Sequence, residues 1–311
     1  MSTITAFAGT ATSLAKLGSM RDLVRVQQLF GKVILILGLC SSMIMLQGRL
    51  QLLAQAPASP SGDLFAKYPG EISGATARAQ TPAVPEWAQP ESPTHVQVPP
   101  PTDFHRPDRT SNTPIGIFQG QSDIGGAIVP GSSAYDAATG QYTINSAGYN
   151  ICYTRDEFRY LWKKISGDVS LAADVTFPDA KGYDDRKAVL IIRQSLDDDS
   201  KEAMLGEHGV GMIHLADRSD KGASMTDMQY RFGGSLAGVR AKRVGIEKHG
   251  DSIAIFISLR GEPLHQFGPP VTLHFDGPFY VGVGFCSHLP AKSDTAVLSN
   301  VLFENAAGKV H

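Results

Sequence analysis

The chain has 311 residues, 42% hydrophobic and 19% charged, with a formal net charge of -2. That balance lacks the strong basic excess of a nucleic-acid binder, so no nucleic-acid partner is expected. Its three cysteines, Cys40, Cys152 and Cys286, are too few and too far apart for a disulfide framework or a zinc site, and its 32 glycines suit a fold with many tight turns.

In chain order, the first predicted element is a leader over residues 1–56. Four basic residues (Lys16, Arg21, Arg25 and Lys32) against one acidic residue (Asp22) precede the uncharged apolar run Val33–Leu46. A basic flank followed by a short apolar core is the pattern of a secretory signal. As a helix that run would span roughly 21 Å, short of the ~30 Å hydrocarbon layer, which favours cleavage over anchoring. Ala54 and Ala56 offer a small-residue cleavage site. The protein is therefore expected to be exported to the periplasm, cell surface or medium, with membrane contact only if the leader stays uncleaved. Lipidation of Cys40 is disfavoured by the bulky Leu39 before it.

Residues 57–112 hold more than half of the 19 prolines, including the consecutive Pro99, Pro100 and Pro101. Proline removes backbone donors and favours extended chain, so this stretch reads as a disordered linker.

From Thr113 onward, apolar runs of strand length alternate with glycine, asparagine and aspartate clusters. In Val169–Phe177 the apolar positions recur at every second residue, the period of a half-buried strand. Ala188–Gln194 is apolar on both faces up to Arg193, as in a central strand. Within Arg155–Lys164 the aromatics Phe158, Tyr160 and Trp162 fall at spacing two, which also predicts a strand. Val244–Lys248 and Ser252–Ser258 flank a His249-Gly250-Asp251 turn, a hairpin signal. Val281–His288 supplies a further strand. Many short strands without amphipathic helices predict an all-β domain over residues 113–311, two antiparallel sheets packed face to face.

Four segments carry a resemblance: YTINSAGYNI at Tyr142–Ile151, DEFRYLWKKISGDVSLAADVTF at Asp156–Phe177, RKAVLIIRQSLDDDS at Arg186–Ser200 and VGVGFCSH at Val281–His288. Together they resemble the concanavalin A-like lectin/glucanase superfamily, specifically bacterial exported domains of unknown function often appended to TolB-like β-propellers. The resemblance implies a jelly-roll sandwich with one concave sheet. Because members of that superfamily either bind glycans or hydrolyse them, it does not by itself choose an activity. The family usually carries an aromatic, typically tryptophan, where this chain has Cys152.

The sequence lacks the paired carboxylates that a glucanase of this fold carries on one strand, E-x-D-x-x-E or E-x-D-x-E, and it has no G-x-S-x-G, H-E-x-x-H or P-loop string. No catalytic residue, metal site or cofactor is assigned. The Asp197-Asp198-Asp199 run reads as a solvated turn, with calcium ligation as the alternative. Cys152 and Cys286 could pair in an oxidising compartment. For ligand binding, alternation along Val281–His288 puts Val281, Val283 and Phe285 in the core and Gly282, Gly284 and His288 on the other face. Two glycines there would leave a shallow bay, with Arg193 of the central strand nearby. His208 and His214, around the Gly209–Gly211 turn, and Arg231 are further polar candidates. These features point to a non-catalytic recognition domain for a glycan or cell-envelope polysaccharide. The alternatives are a module docking a protein partner such as a β-propeller, and a divergent glycoside hydrolase.

Overall fold

The computed structural model describes residues 72–74, 78–79 and 105–310; the leader and most of the linker lie outside the described residues. Within them the only helical turn is a short 3₁₀ segment at Gly234–Leu236. All else is strand and turn, in two large antiparallel sheets packed face to face, which establishes the all-β sandwich.

The larger sheet has ten strands. From edge to edge it runs Ile72–Gly74, Thr226–Phe232, Ile213–Arg218, Glu202–His208, Lys187–Arg193, Phe279–Cys286, Phe158–Ile165, Gly120–Ile124 and Arg109–Ser111, with Arg78–Ala79 also on Thr226–Phe232. The smaller sheet has eight, in the order His265–Gln266, Ser252–Ser258, Arg243–His249, Val169–Thr176, Asp294–Glu304, Gln141–Ser146 and Ser132–Asp136, with Val271–Thr272 alongside Ser252–Ser258. The hairpin between Arg243–His249 and Ser252–Ser258 turns on Gly250, whose φ of 57° is the left-handed geometry that a tight hairpin loop requires.

The core follows the alternation. Val169, Leu171 and Ala173 of the smaller sheet meet Ala188, Leu190, Ile192, Val281, Val283 and Phe285 of the larger one, all essentially without solvent exposure. Transfer of such side chains from water, at roughly 25 cal/mol per Å² of apolar area, is the main term holding the sheets together.

Ordered structure begins earlier than composition suggests. Arg109–Ser111 pairs with Gly120–Ile124, and Ile72–Gly74 pairs with Thr226–Phe232. His105 and Arg106 bond to Asp198 and Glu157, while the Gly125 amide donates to Asp108. Described strands thus occur before residue 113. Short polar edge strands such as Arg109–Ser111, whose residues are all exposed, carry no hydrophobic alternation to announce them.

Glu207 is the one acid among the core-facing residues of its strand. It is 1% exposed, its carboxyl lies 3.8 Å from the Arg240 guanidinium, and burial pushes its pKa up to about 8 despite that cation. Between its ordinary value and about 8 the native state holds a proton that the unfolded chain releases, so stability falls as pH rises through that window. Glu207→Gln removes this titration. Urea melts at pH 5, 6.5 and 8 are expected to show the variant gaining on the parent by at most ~1.4 kcal/mol per pH unit. A stability difference independent of pH would count against the buried proton.

Candidate functional site

The outward side of the larger sheet can be read as a grid, because antiparallel register places alternate residues of neighbouring strands side by side. One row across the central strands is Tyr280, Arg193, Glu202 and Arg218. The next is Gly282, Ile191, Met204, Ala216 and Asp227, followed by Gly284, Val189, Gly206, His214 and Gln229. The last row begins Cys286, Lys187 and His208, with Arg231 at the far end of its strand.

Most of this face is covered. The segment around the hairpin of Ile151–Cys152 and Arg155–Asp156 folds over it, and Ile124, Ile151, Phe158, Tyr160 and Trp162 form a second apolar cluster with Val189, Ile191, Met204 and Ala216. A charge quartet pins the cover down. Arg193 Nη1 donates to Asp156 Oδ2 at 2.6 Å and also to Glu202, while Arg218 Nη2 donates to Asp156 Oδ1 at 2.8 Å and Arg218 Nη1 lies 3.4 Å from Glu202. All four side chains are fully buried. Burial pushes the Asp156 carboxyl up, but the guanidiniums of Arg218 and Arg193 outweigh it and hold it below the usual range.

These facts correct the expectation of an open bay. Gly282 and Gly284 are buried, because the neighbouring strand and its aromatics occupy the space their missing side chains leave. A Cβ at 282 would stand 1.9 Å from the Leu161 carbonyl oxygen, and one at 284 would stand 2.6 Å from the Phe158 ring. Arg193 reaches no open surface; it serves the quartet and lies over Phe158. His288 is also fully buried, with a left-handed φ of 63°, and its ring lies between those of Tyr183 and His208. Cys152 and Cys286 are free thiols, and burial pushes Cys286 up to about 12. In the aspartate run, Asp197 and Asp199 flank Lys221 and Asp198 turns to His105; among the described residues no cluster suited to a metal ion is found.

The cover reaches Gly284, Val189 and Cys286 but stops short of the rest of the last two rows, leaving a cavity of about 160 Å³. Asn150, Cys152 and Tyr153 wall it on the hairpin side; Lys187, His208, His214, Gln229 and Arg231 rise from the sheet; Asp185, Met212 and Asp227 complete it. His208 and Arg231, singled out from the sequence one by one, thus share this pocket, whereas Arg193, Gly282, Gly284 and His288 do not line it. Sequence reasoning does not find Lys187, Asn150 and Asp227. Their available signal is that of polar residues at outward positions of otherwise apolar central strands.

The polar groups are held in fixed geometry. His214 Nδ1 lies 2.9 Å from Asp227 Oδ1, and Gln229 Nε2 donates to Asp227 Oδ2 at 2.6 Å. Burial raises Asp227, but His214, with Gln229, more than offsets it and holds the carboxyl well below the usual carboxylate range. An ionised Asp227 fixes the His214 proton on Nδ1 and leaves Nε2 as an acceptor. Burial lowers His214 against the opposing pull of Asp227, and burial with Lys187 lowers His208 well below its ordinary value, so the His208 ring is neutral near pH 7. Among the described residues neither ring nitrogen of His208 has a hydrogen-bond partner, and the Asp185 carboxylate lies 3.7 Å away. Lys187, 2% exposed, donates to Asn150 Oδ1 at 2.9 Å and to the Ile151 carbonyl at 3.1 Å. Tyr153 forms the hairpin tip with a φ of 61°, a left-handed conformation uncommon outside glycine. Its carbonyl accepts from the Met225 amide at 2.9 Å.

Gly206 makes room for the dyad: a Cβ there would stand 2.0 Å from His214 Nε2. Gly206→Ala is expected to displace the ring and cost about 1–3 kcal/mol, the usual penalty of overpacking. A parent-like melting temperature with an unchanged His214 ring NMR signal would contradict that placement.

No protein-family model matches the chain, and no curated protein matches its sequence. Among solved structures, it is similar to a functionally unknown protein from Saccharomyces cerevisiae, with 14% identity over 57% of this chain and 93% of the other, at a TM-score of 0.44. It is also similar to the carbohydrate binding module CBM66 from Bacillus subtilis, with 16% identity, coverage of 56% and 92%, and a TM-score of 0.37. Arcelin-5, a lectin-like defense protein from Phaseolus vulgaris, matches at 9% identity, coverage of 57% and 90%, and a TM-score of 0.35. The all-β sandwich itself rests on the strand order of the two antiparallel sheets.

Proposed function

We propose that this protein is a non-catalytic recognition domain that binds a carbohydrate in the pocket of Lys187, His208, His214, Gln229 and Arg231, working outside the cytoplasm. One observation carries the reading: a small, mostly polar pocket whose donors and acceptors stand on adjacent central strands, with Tyr153 at its wall. Sugar hydroxyls both donate and accept, so they are met by a mixture such as the Lys187 ammonium, the Gln229 amide and His214 Nε2. An aromatic ring beside such groups offers an apolar surface for the sugar's C–H face. The basic, apolar leader supports export.

Hydrolysis in this pocket is disfavoured by the state of Asp227. A glycosidase needs one carboxylic acid tuned upward to protonate the leaving oxygen. Asp227 is driven the other way and committed to His214 and Gln229.

Affinity electrophoresis of the full-length protein through gels of soluble polysaccharides tests the reading. At least one polysaccharide is expected to retard the parent. Tyr153→Asn, a residue that tolerates the left-handed backbone, is expected to weaken retardation up to about tenfold, the scale of one aromatic contact. Retardation unaffected by the substitution would move the site elsewhere.

A further inference from the structure

We propose that the ligand is an acidic glycan whose anionic group is received by Lys187 and Arg231, an inference that rests on the carbohydrate reading and sharpens it. The pocket's carboxylates and cations are unequally committed. Asp227 is held on both oxygens, by His214 and by Gln229. Asp185 lies at the more open side, with a side chain 31% exposed, 3.7 Å from His208. Lys187 differs: it is 2% exposed, lines the cavity, and bonds only to neutral oxygens, those of Asn150 and Ile151. It makes no ion pair with any described residue, and the ionised Asp227 of the same cavity acts on it only through space. A buried ammonium facing neutral acceptors is costly unless an anion joins it. Two donations leave its third N–H for such a partner.

The neighbours fit the same ligand. His208, directly opposite Lys187 in register, has no hydrogen-bond partner on either nitrogen among the described residues, and as a neutral imidazole it offers one donor and one acceptor without adding charge. Arg231, exposed on the next strand but one, brings a planar fork of donors suited to a carboxylate or sulfate group. Gln229 and His214 Nε2 then meet hydroxyls deeper along the strands.

The test is an array of neutral, uronate-bearing and sulfated oligosaccharides probed with the full-length protein, its hits titrated by calorimetry. Acidic glycans are expected to bind at least tenfold more tightly than their neutral counterparts, with affinity falling as salt rises. The carboxylate and sulfate arms identify which anion is preferred. Lys187→Met should remove most of that advantage, and Arg231→Gln, at an exposed position that leaves the core untouched, should reduce it and flatten the salt dependence. Equal binding of neutral and acidic glycans would overturn the acidic preference and leave the carbohydrate reading standing. Acidic glycans that bind Arg231→Gln and a folded Lys187→Met as they bind the parent would overturn the assignment to these residues. Absence of any hit would overturn the carbohydrate reading and this inference together.

Discussion

Asp156→Ala is expected to destabilise the protein by about 3–5 kcal/mol, the range seen when one partner of a buried ion pair is removed. Asp156 accepts hydrogen bonds from both Arg193 and Arg218, and all three side chains are fully buried. Without it, two guanidiniums share Glu202, which burial pushes up to about 8 against the pull of Arg193. Against the usual total of 5–15 kcal/mol, such a loss is a large fraction of the whole. It should also loosen the cover: hydrogen exchange at Ile151–Asp156 is expected to rise more than in Val169–Thr176 of the opposite sheet. An unfolding free energy within about 1 kcal/mol of the parent's would contradict the quartet's role in holding the hairpin down.

Gly284→Trp is expected to abolish cooperative folding. A single Cβ at this position already stands 2.6 Å from the Phe158 ring and 3.0 Å from the Arg159 carbonyl oxygen, so even alanine overpacks. Phe158 has nowhere to go: it is fully buried, with the Arg193 guanidinium over its ring. An indole would have to displace the ring, the cation and the strand behind them, well beyond the ~1–3 kcal/mol of one surplus methylene. A soluble variant with a parent-like thermal transition would mean that this face is open after all.

Both substitutions fall at the edge of what the sequence makes legible. Alternation in Val169–Phe177 and Val281–His288 places Leu171, Val281 and Phe285 correctly in the core, because a strand between a partner sheet and anything else must sort its side chains by period two. Alternation says nothing of what covers the second face. Phe158, Tyr160 and Trp162 do share a face, but the lid over it comes from Ile151 and Cys152, and the quartet that fastens it joins Asp156, Arg193, Glu202 and Arg218 from four separate segments. Such contacts depend on register between strands, which no single stretch encodes. For the same reason His208 and Arg231 can be named individually, while their meeting with Lys187, Asn150 and Asp227 becomes visible only in the folded sheet.

Entry of ligand into the pocket beside His208 and His214 can be followed by histidine ring NMR of the full-length protein during titration with a glycan it binds. His249 and His274 provide internal controls, since both are exposed side chains paired with Asp168 and Asp251 respectively, and neither lines the pocket. The His208 and His214 ring signals are expected to shift with ligand to a common saturation curve while those of His249 and His274 stay in place. Saturable binding that moves the control histidines and leaves His208 and His214 unchanged would contradict a ligand site in this pocket.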